Sequence, residues 1–286
     1  MYTQLQGVLA KKLNASSVQV QPVGGGSINQ TFKLTTYSTS YFCKVNSATK
    51  FPHLFETEVK GLQLLGATGH LKTPAVLSCF IEYGQQILVL EWMEPSQRTD
   101  AFWKQFGACL AALHLTKGTQ FGLDHDNYMG SVAQSNTPSG NWVQFFTGQR
   151  LVPMVKQCAD QKLLDSSTQA QFELLYTRLS KLFEDEPPSL LHGDLWSGNF
   201  MCTTGGEPVL IDPAVYYGHR SMDLGMTMLF GGFHSLFYES YQYHYPLPTN
   251  YSDQWKVCNL YPLLIHLLLF GRSYLPQIQS TLRQFV

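Results

Sequence analysis

Three oxygen-bearing side chains have the types and the order that phosphoryl transfer from a nucleotide uses. Asp194 lies in the run Leu-His-Gly-Asp-Leu-Trp-Ser-Gly-Asn-Phe; Asn199 follows it by five positions, and Asp212 follows Asn199 by thirteen. In such reactions one carboxylate accepts the proton of the attacking hydroxyl, while an amide oxygen and a second carboxylate hold Mg²⁺ on the phosphates. Mg²⁺ prefers oxygen ligands and usually keeps water in its other positions. The pattern therefore predicts a kinase-like catalytic loop.

A β-hairpin is predicted between the second and the third of these side chains. The β-prone runs 199–203 and 208–211 are joined by Gly205-Gly206, and a glycine pair is typical of a tight hairpin turn. Such a hairpin would hold the Asp194 carboxylate and the Asn199 amide, at its start, against the Asp212 carboxylate at its end. Taken singly, an Asp or Asn near glycines is more often a turn residue. The order and spacing of all three favour the catalytic interpretation.

Size and composition limit the classes of protein that this chain can belong to. Its 286 residues can form one large domain or two modest ones, and 44% hydrophobic against 14% charged residues indicates a globular fold. A net charge of −1 provides no field for nucleic acid or an anionic membrane, so neither is expected as a partner. The most apolar window, 257–270, is too short to span a bilayer. The six cysteines form no C-x-x-C pair and are predicted to be reduced thiols of a cytoplasmic protein.

The N-terminal third is predicted to form an α+β layer. Strand-like runs and one helix combine into a five-stranded antiparallel sheet with one main helix. Between the first two strands, Gly24-Gly25-Gly26-Ser27 can bring backbone N–H groups close to phosphate, because glycine has no Cβ. Taken alone, the glycines are explained more simply by a flexible hairpin. The predicted strands are 17–23, 31–36, 41–45, 76–83 and 86–92, and the predicted helix is 55–65.

A lysine in the third strand and a glutamate in the helix form a second candidate pair. Lys44 lies among apolar neighbours, and Glu58 lies on a helix of amphipathic spacing. A strand lysine fixed by a helix glutamate is the arrangement that sets a cation against the α- and β-phosphates. We assign Glu58 to this pair and expect Glu56 to be solvated. A lysine whose amine reaches the surface is the simpler alternative.

The segment after the fifth strand is a candidate hinge between two lobes. Pro95 cannot take part in strand pairing, so the sheet is expected to end before it. Backbone groups of Glu91 and Met93 can bond the edge of an adenine, and Trp92 or Met93 can supply apolar walls. Core packing explains Trp92 equally well. The predicted lobes are residues 1–93, which bind nucleotide, and 94–286, a mostly helical lobe with the catalytic-loop hairpin.

After the hinge the chain is predicted to be mainly helical. Asp223 is expected at a helix start, where its carboxylate can accept backbone N–H groups behind the catalytic loop. His114 is interpreted as a buried, hydrogen-bonded histidine. The predicted segments are a helix at 100–114 capped by Asp100, a long loop at 118–140, and helices at 142–158, 165–183 and 253–272.

With these residues in view, the chain resembles the fructosamine kinase (ketosamine-3-kinase) family. That family is related to aminoglycoside and choline kinases and shares the protein-kinase-like fold. The most specific parts of the resemblance are His-Gly-Asp-Leu-Trp-Ser-Gly-Asn and Asp-Pro-Ala-Val-Tyr-Tyr-Gly, where protein kinases have Asp-Phe-Gly. The resemblance covers nearly the whole chain. Its other matching positions are 24–29, Lys44, 55–62, 127–131, 142–151, 211–220, 230–233, His266 and Gly271.

The resemblance implies a role for each candidate site residue. It implies that Asp194 is the base that activates a sugar hydroxyl. The remaining implied assignments are Asn199 and Asp212 to Mg²⁺, Lys44 and Glu58 to the phosphates of ATP, and Glu91, Trp92 and Met93 to adenine.

The resemblance also implies the substrate. This would be a ketosamine, the sugar of a glycated amine on a protein or a free amino acid, phosphorylated at its 3-hydroxyl. The product is unstable and releases the amine, so the activity amounts to deglycation. Ribulosamines, erythrulosamines and fructosamines all stay open as acceptors, and so does the oligomeric state.

Three positions depart from the family's usual residues, and two other functions stay open. Ser221 replaces a glutamate, Ile265 replaces an asparagine, and Ser27 lies where some members have a redox-active cysteine. Redox control through the glycine loop is therefore not expected. One alternative function is phosphorylation of another hydroxyl, as in aminoglycoside or choline kinases. The other is a nucleotide-binding pseudokinase scaffold, which loss of the base, a metal ligand or the lysine would favour; all of these residues are present.

Overall fold

The N-terminal part of the chain forms a five-stranded antiparallel sheet, as predicted. The computed structural model describes residues 2–24 and 28–286. The strands of this sheet are β1 (Gln19–Pro22), β2 (Gln30–Thr35), β3 (Ser40–Ser47), β4 (Val76–Glu82) and β5 (Gln85–Glu91). Their order is β1-β2-β3-β5-β4, and Lys44 of β3 is paired with Leu88 of β5 near the middle of the sheet.

Helices cover both faces of this sheet, because successive side chains of the inner strand β5 point to opposite sides. Ile87 and Val89 pack with Leu9 of helix α1 (Tyr2–Lys12) on one face. Leu88 and Leu90 share a second cluster with apolar residues of helix α2 (Leu54–Ala67) on the other face. Burial on both faces explains why β5 has a continuous apolar run. It also fixes α2, which carries Glu58, against the sheet.

The rest of the chain is mainly helical. Helix α3 begins after Thr99, whose Oγ1 accepts a hydrogen bond from Phe102 N at 3.2 Å, so Thr99 and not the predicted Asp100 caps it. No helix in residues 2–24 and 28–286 has the length and apolar character needed to cross a membrane. The helices are α3 (Asp100–His114), α4 (Trp142–Phe145), α5 (Val152–Asp160), α6 (Ser166–Tyr176), α7 (Ser221–Leu229), α8 (Ser235–His244), α9 (Tyr251–Cys258), α10 (Leu260–Phe270) and α11 (Leu275–Phe285).

Segment 118–140 is not the structureless loop that its composition predicts. It contains a hairpin of β6 (Asn127–Met129) and β7 (Val132–Gln134), which pair antiparallel. Gly130 has φ +61°, a left-handed conformation that glycine adopts without strain, and it lies in the turn. The pairing was missed because each strand is only three residues long.

The helices predicted at 142–158 and 165–183 are also interrupted. A π-helical turn, Phe146–Leu151, separates α4 from α5. Pro153 lies in the first turn of α5, where its missing N–H is tolerated, so the α-helix restarts there. Helix α6 ends at Tyr176 and is followed by a 3₁₀ turn, Leu179–Lys181, well before the two prolines that were expected to end it.

The catalytic-loop hairpin is present as predicted. The strands of this region are β8 (Ser189–Leu191), β9 (Phe200–Cys202), β10 (Pro208–Leu210) and β11 (Tyr216–Gly218). β9 pairs with β10 and β8 pairs with β11, all antiparallel. The loop between β8 and β9 therefore lies beside the loop between β10 and β11. The predicted lobe boundary between residues 93 and 94 stays a prediction.

Candidate active site

The loop between β8 and β9 brings Asp194 and Asn199 into direct contact. Asn199 Nδ2 donates to the backbone oxygen of Asp194 at 2.8 Å and to its Oδ2 at 2.9 Å. His192 fixes the other side of the loop, because its Nδ1 accepts from Asp194 N at 3.2 Å and its Nε2 donates to Ile211 O at 2.9 Å. Burial lowers the pKa of His192, which keeps this ring neutral and able to make both bonds. The carboxylate of Asp194 is thus held in one orientation.

Asp223 supports the catalytic loop from behind, as the sequence predicts. Its two carboxylate oxygens accept the backbone N–H groups of His192 at 2.7 Å and Gly193 at 2.8 Å. His114, which is fully buried, lies with Nε2 3.2 Å from Asp223 Oδ2, while its Nδ1 is 2.8 Å from the hydroxyl of Tyr241. The predicted role of His114 as a buried hydrogen-bonded residue is confirmed.

Gly193 is required by a close approach of two backbones. Its φ is +85°, and a Cβ at this position would lie 2.0 Å from Ala214 O. Ala214 N also donates to His192 O at 2.9 Å. The loop that carries Asp194 is therefore packed directly on the segment that follows Asp212.

Asp212 lines the same cavity as Asp194 and contacts the lysine of the N-terminal sheet. Its φ is +53°, an uncommon conformation for a residue other than glycine and one that often occurs where function requires strain. Lys44 Nζ donates to Asp212 Oδ1 at 2.6 Å and to Glu58 Oε1 at 2.7 Å. Glu56 is exposed and pairs with His53 instead. The structure thus joins β3, α2 and the β10–β11 loop through a single ammonium group.

The charges in this cluster are strongly coupled. Burial by itself disfavours the ammonium form of Lys44, but the two carboxylates outweigh it and raise the pKa of Lys44. Burial raises the pKa of Glu58 to about 7, although the charge of Lys44 opposes the rise. The lysine therefore stays charged at neutral pH and faces the cavity as a fixed cation.

The pKa of Asp194 is also shifted in the direction that suits a base. Burial raises it to about 7, and the charges of Asp212 and Asp223 add to the effect, while the hydrogen bond from Asn199 opposes it. A general base is most effective when its pKa lies near the working pH. Asp194 can thus accept a proton near neutral pH.

Two cavities meet at Asp212. The first is lined by Asp194, Asn199, Glu58 and Lys44, together with residues of the β6–β7 hairpin and of α10. The second is lined by Gly24 of the glycine segment, by Glu91 at the end of β5 and by Trp92 and Met93 after it. Asp212 lines both cavities. A molecule that placed an apolar ring in the second cavity and a charged end in the first would therefore lie against Asp212.

The residues predicted to hold adenine are in the second cavity. Trp92 is half-buried and outside the hydrophobic core; Lys33 Nζ lies 4.2 Å from the centre of its ring. Glu91 is anchored by its backbone N–H, which donates to Ala75 O at 2.9 Å. Gly24 is exposed at the cavity wall, whereas Gly25, Gly26 and Ser27 lie outside the described residues.

The sequence model for fructosamine kinases matches this chain over residues 1–286, its full length. The chain belongs to the fructosamine kinase family. A Lactiplantibacillus plantarum relative that carries the name probable ketoamine kinase is 41% identical over 276 residues, which covers 93% of this chain and 94% of the relative. The chloroplastic protein-ribulosamine 3-kinase of Arabidopsis thaliana is 33% identical over 275 residues, 94% of this chain and 82% of that protein.

A crystal structure named as a fructosamine-3-kinase, from Haemophilus somnus, has the same fold. It superposes with a TM-score of 0.88 at 26% identity and covers 100% of this chain and 98% of its own. The fold is therefore the protein-kinase-like α+β fold of fructosamine kinases, and the chain is a kinase of that family.

The donor set of the site suits a divalent cation of the kind that kinases bind with their nucleotide. No group of three or more His, Cys, Asp or Glu side chains suited to a metal occurs among the residues that the structure describes. Magnesium needs only one or two carboxylates when phosphates and water complete its shell. Asp212 and Asn199 line the same cavity, and each carries a side-chain oxygen of the kind that magnesium prefers, so the residues present fit such an ion.

The structure adds residues to this fructosamine kinase site that sequence reasoning gave no role. The first cavity, which Asp194 lines, is also lined by Asn127 and Gly130 of the β6–β7 hairpin and by Trp196, Ile265 and His266. The run 127–131 was part of the family resemblance, and this was the one signal that could have indicated Asn127. Its contribution depends on hydrogen bonds to residues far away in the chain, which periodicity does not reveal.

Proposed function

We propose that this protein is an ATP-dependent kinase that phosphorylates the 3-hydroxyl of ketosamines and so promotes deglycation. The observation that carries the proposal is that Asp194, in contact with Asn199, lines one cavity with the Lys44–Asp212–Glu58 cluster, in a member of the fructosamine kinase family. A base and a fixed cation that line one cavity can bring an alcohol and a phosphoryl group together.

In this proposal Asp194 accepts the proton of the sugar hydroxyl as the hydroxyl oxygen attacks the γ-phosphorus of ATP; the bond from that phosphorus to the β–γ bridging oxygen breaks, and ADP leaves. Lys44, held by Glu58, donates hydrogen bonds to the α- and β-phosphates. Asn199 and Asp212 would hold Mg²⁺, which neutralises charge on the phosphates when it is bound. Because Asn199 donates to Asp194 through its nitrogen, its oxygen stays available as a ligand.

The second cavity would take the adenine. The backbone of Glu91 and Met93 supplies hydrogen-bonding groups, and the half-buried ring of Trp92 supplies an apolar wall. The segment Gly24-Gly25-Gly26-Ser27 lies between β1 and β2, and we propose that its backbone N–H groups cradle the phosphates. Thr31 supports the start of that segment, because its Oγ1 donates to Val23 O at 2.8 Å.

The acceptor would be the sugar of a glycated amine, free or attached to a protein. The names of the relatives support ketoamines and, for the plant protein, protein-bound ribulosamine. We propose a ribulosamine or erythrulosamine ahead of a fructosamine, since many family members prefer the shorter sugars. The six free cysteines suit a reducing compartment such as the cytoplasm, where ATP is also available.

An acceptor screen tests the proposal directly. The purified protein is incubated with Mg²⁺-ATP and erythrulosyl-, ribulosyl- or fructosyl-lysine at matched concentrations, and the gain of one phosphoryl group is followed by mass spectrometry. Choline and aminoglycosides are included as acceptors of the alternative kinase classes. Phosphorylation of a ketosamine at its 3-hydroxyl is the expected result, and phosphorylation of only the other acceptors would overturn the proposal.

The Asp194→Asn variant tests the assignment of the base. We expect turnover to fall by at least about 10³-fold while ATP still binds, because the base acts on the acceptor and not on the nucleotide. Asp253→Asn is a matched control, since Asp253 is half exposed and, within the part of the chain that the structure describes, pairs only with Lys256 on the surface. Near-normal turnover of Asp194→Asn with any acceptor would refute the assignment.

A further inference from the structure

Arg150 is a fully buried arginine whose guanidinium has no carboxylate partner among the residues that the structure describes. It lies in the π-helical turn between α4 and α5. Its guanidinium carbon is 4.2 Å from the ring centre of Tyr216 and 4.6 Å from that of Phe145. A buried charge is costly unless it is compensated, and an apolar residue of similar volume often serves packing as well. Packing alone therefore does not account for an arginine at this position.

The hydrogen bonds of Arg150 lead away from the π turn towards the active site. Its Nη2 donates to Asn136 Oδ1 at 2.7 Å, and its Nη1 donates to the backbone oxygens of Ser135 and Gln149. Asn136 Nδ2 donates to Asn127 Oδ1 at 3.0 Å. Asn127 Nδ2 then donates to Val215 O at 2.8 Å.

The direction of every bond in this relay follows from its first member. A guanidinium has only donors, so the oxygen of the Asn136 amide must face it and the nitrogen must point onward. The oxygen of Asn127 consequently accepts, and its nitrogen is turned towards Val215 O. Gln134 reinforces the second amide, because its Nε2 donates to Asn127 Oδ1 at 2.8 Å. The arginine thus fixes the first asparagine together with His125 O, which accepts from Asn136 Nδ2 at 3.1 Å, and Asn136 and Gln134 together fix the second.

The relay ends on the segment that follows Asp212. Val215 is three residues after Asp212, and Gln134 Nε2 lies 3.4 Å from the backbone oxygen of Ala214 in between. Asp212 has the left-handed backbone described above, which persists only when its surroundings enforce it. The relay supplies such enforcement from the side opposite to Lys44.

We propose that Arg150 is a positioning residue that orients Asp212 for the metal ion through Asn136 and Asn127. This inference rests on the proposed function, in which Asp212 binds the divalent cation. The π turn contributes to this positioning, because its extra residue changes the direction of the side chains that follow. Such turns are frequent at functional sites. Arg150 and Asn136 do not line either cavity, so they act on the ion only through the relay.

Two substitutions break the relay at different points. Arg150→Met removes the donors that orient Asn136. Asn136→Asp keeps a partner for Arg150, and indeed gives it a carboxylate, but removes the N–H that Asn127 accepts. The second variant therefore interrupts the relay while the arginine stays paired. Because it also removes the bond from Asn136 Nδ2 to His125 O, its melting temperature is measured beside that of Arg220→Met, which separates a loss of stability from a loss of metal affinity.

Metal affinity is measured with Mn²⁺ as the probe, by electron paramagnetic resonance of the full-length protein saturated with a non-hydrolysable ATP analogue. We expect the dissociation constant of Mn²⁺ to rise by about tenfold in both variants, which corresponds to the net loss of one hydrogen bond of the relay. The Mg²⁺ concentration for half-maximal turnover should rise in parallel. The KM of the acceptor should change less.

Arg220→Met is the matched control. Arg220 is also a buried arginine, but it is paired with Glu186 and the backbone at Tyr245 and Pro246, away from the relay. Its loss should lower the melting temperature without changing Mn²⁺ affinity. Unchanged affinity in Asn136→Asp, or an equal loss in Arg220→Met, would overturn the inference. If Asp212→Asn itself leaves Mn²⁺ affinity unchanged, the metal assignment in the proposed function is wrong instead.

Discussion

Asn199 Nδ2 donates to two oxygens of Asp194, the backbone carbonyl at 2.8 Å and the carboxylate Oδ2 at 2.9 Å. One amide therefore fixes both the loop and the carboxylate that we assign as the base. The hydrogen bond favours the ionised carboxylate, whereas burial disfavours it, and burial prevails. The pKa of this base therefore lies within the pH range in which an enzyme works.

The first prediction concerns the pH dependence of turnover. Burial raises the pKa of Asp194 to about 7, and only the ionised form can accept the proton of the acceptor. We therefore expect kcat/KM to increase about tenfold for each pH unit below about 7 and to level off above it. The measurement is a pH series with a saturating, fixed concentration of Mg²⁺-ATP. A profile that stays flat between about pH 5.5 and about 7 would contradict it.

The second prediction concerns stability and follows from the same pKa. Because the raised pKa means that the folded protein binds this proton more tightly than the unfolded chain, the stabilisation is complete below the ordinary carboxyl pKa and is lost as pH rises through about 7. Asp194→Asn mimics the protonated form. Its free energy of unfolding should exceed that of the wild type by about 1 kcal/mol at about pH 8, a value reduced because the cavity is open to solvent, which screens the charge. At about pH 4 the variant should be no more stable than the wild type.

Urea denaturation at the two pH values measures this difference. Asp253→Asn, on an exposed helix face, should show no comparable gain at either pH. A stabilisation by Asp194→Asn that is equal at both pH values would show that the effect does not arise from ionisation.

The N-terminal part of the site could be predicted because its signals are local. Lys44 lies in a β-prone run and Glu58 lies on a regularly spaced helix, and a sheet covered by one helix brings the two together. The hairpin between Asn199 and Asp212 was equally clear, since a glycine pair between two β-prone runs specifies its turn. The positive φ of Asp212 had no such signal, because it is enforced by contacts from other parts of the chain.

The parts that could not be predicted depend on pairing across long sequence separations. Strands β6 and β7 are too short for a periodic pattern, and Asn127 acquires its role from a bond to Val215 O, 88 residues away. The π turn before α5 is fixed by what surrounds Arg150, and not by the propensity of its own residues. Tertiary contacts decided each of these features.

The third prediction concerns the buried lysine. Lys44→Met leaves the carboxylates of Glu58 and Asp212 without their shared cation. We expect the free energy of unfolding to fall by about 2 kcal/mol at pH 8, a value reduced because Asp212 is partly exposed. The loss should be smaller at pH 6, because removal of Lys44 takes away the charge that opposes the rise in the pKa of Glu58, so that this carboxyl takes up a proton in the variant as the pH falls.

A double-mutant cycle with Glu58→Gln checks this explanation. The double variant should lose less stability than the sum of the losses in the two single variants, since Glu58→Gln removes the charge that Lys44→Met leaves unpaired. The turnover of Lys44→Met should fall by about 10² to 10³-fold, with a higher KM for ATP, because the fixed cation is lost. Additive losses of stability would show that the ion cluster is not coupled in this way.

The last prediction concerns the contact between the catalytic loop and the segment after Asp212. Gly193→Ala would set a Cβ 2.0 Å from Ala214 O in a residue with φ +85°, and a backbone atom cannot move aside as a flexible side chain can. We expect a loss of at least about 3 kcal/mol in unfolding free energy, or displacement of Asp194 and loss of turnover in the protein that still folds. Gly140→Ala is the matched control, because a Cβ at Gly140 would meet nothing within 4 Å and its φ is not positive. Chemical denaturation and turnover are measured on both variants; an active Gly193→Ala protein as stable as Gly140→Ala would mean that the two segments are not packed as described.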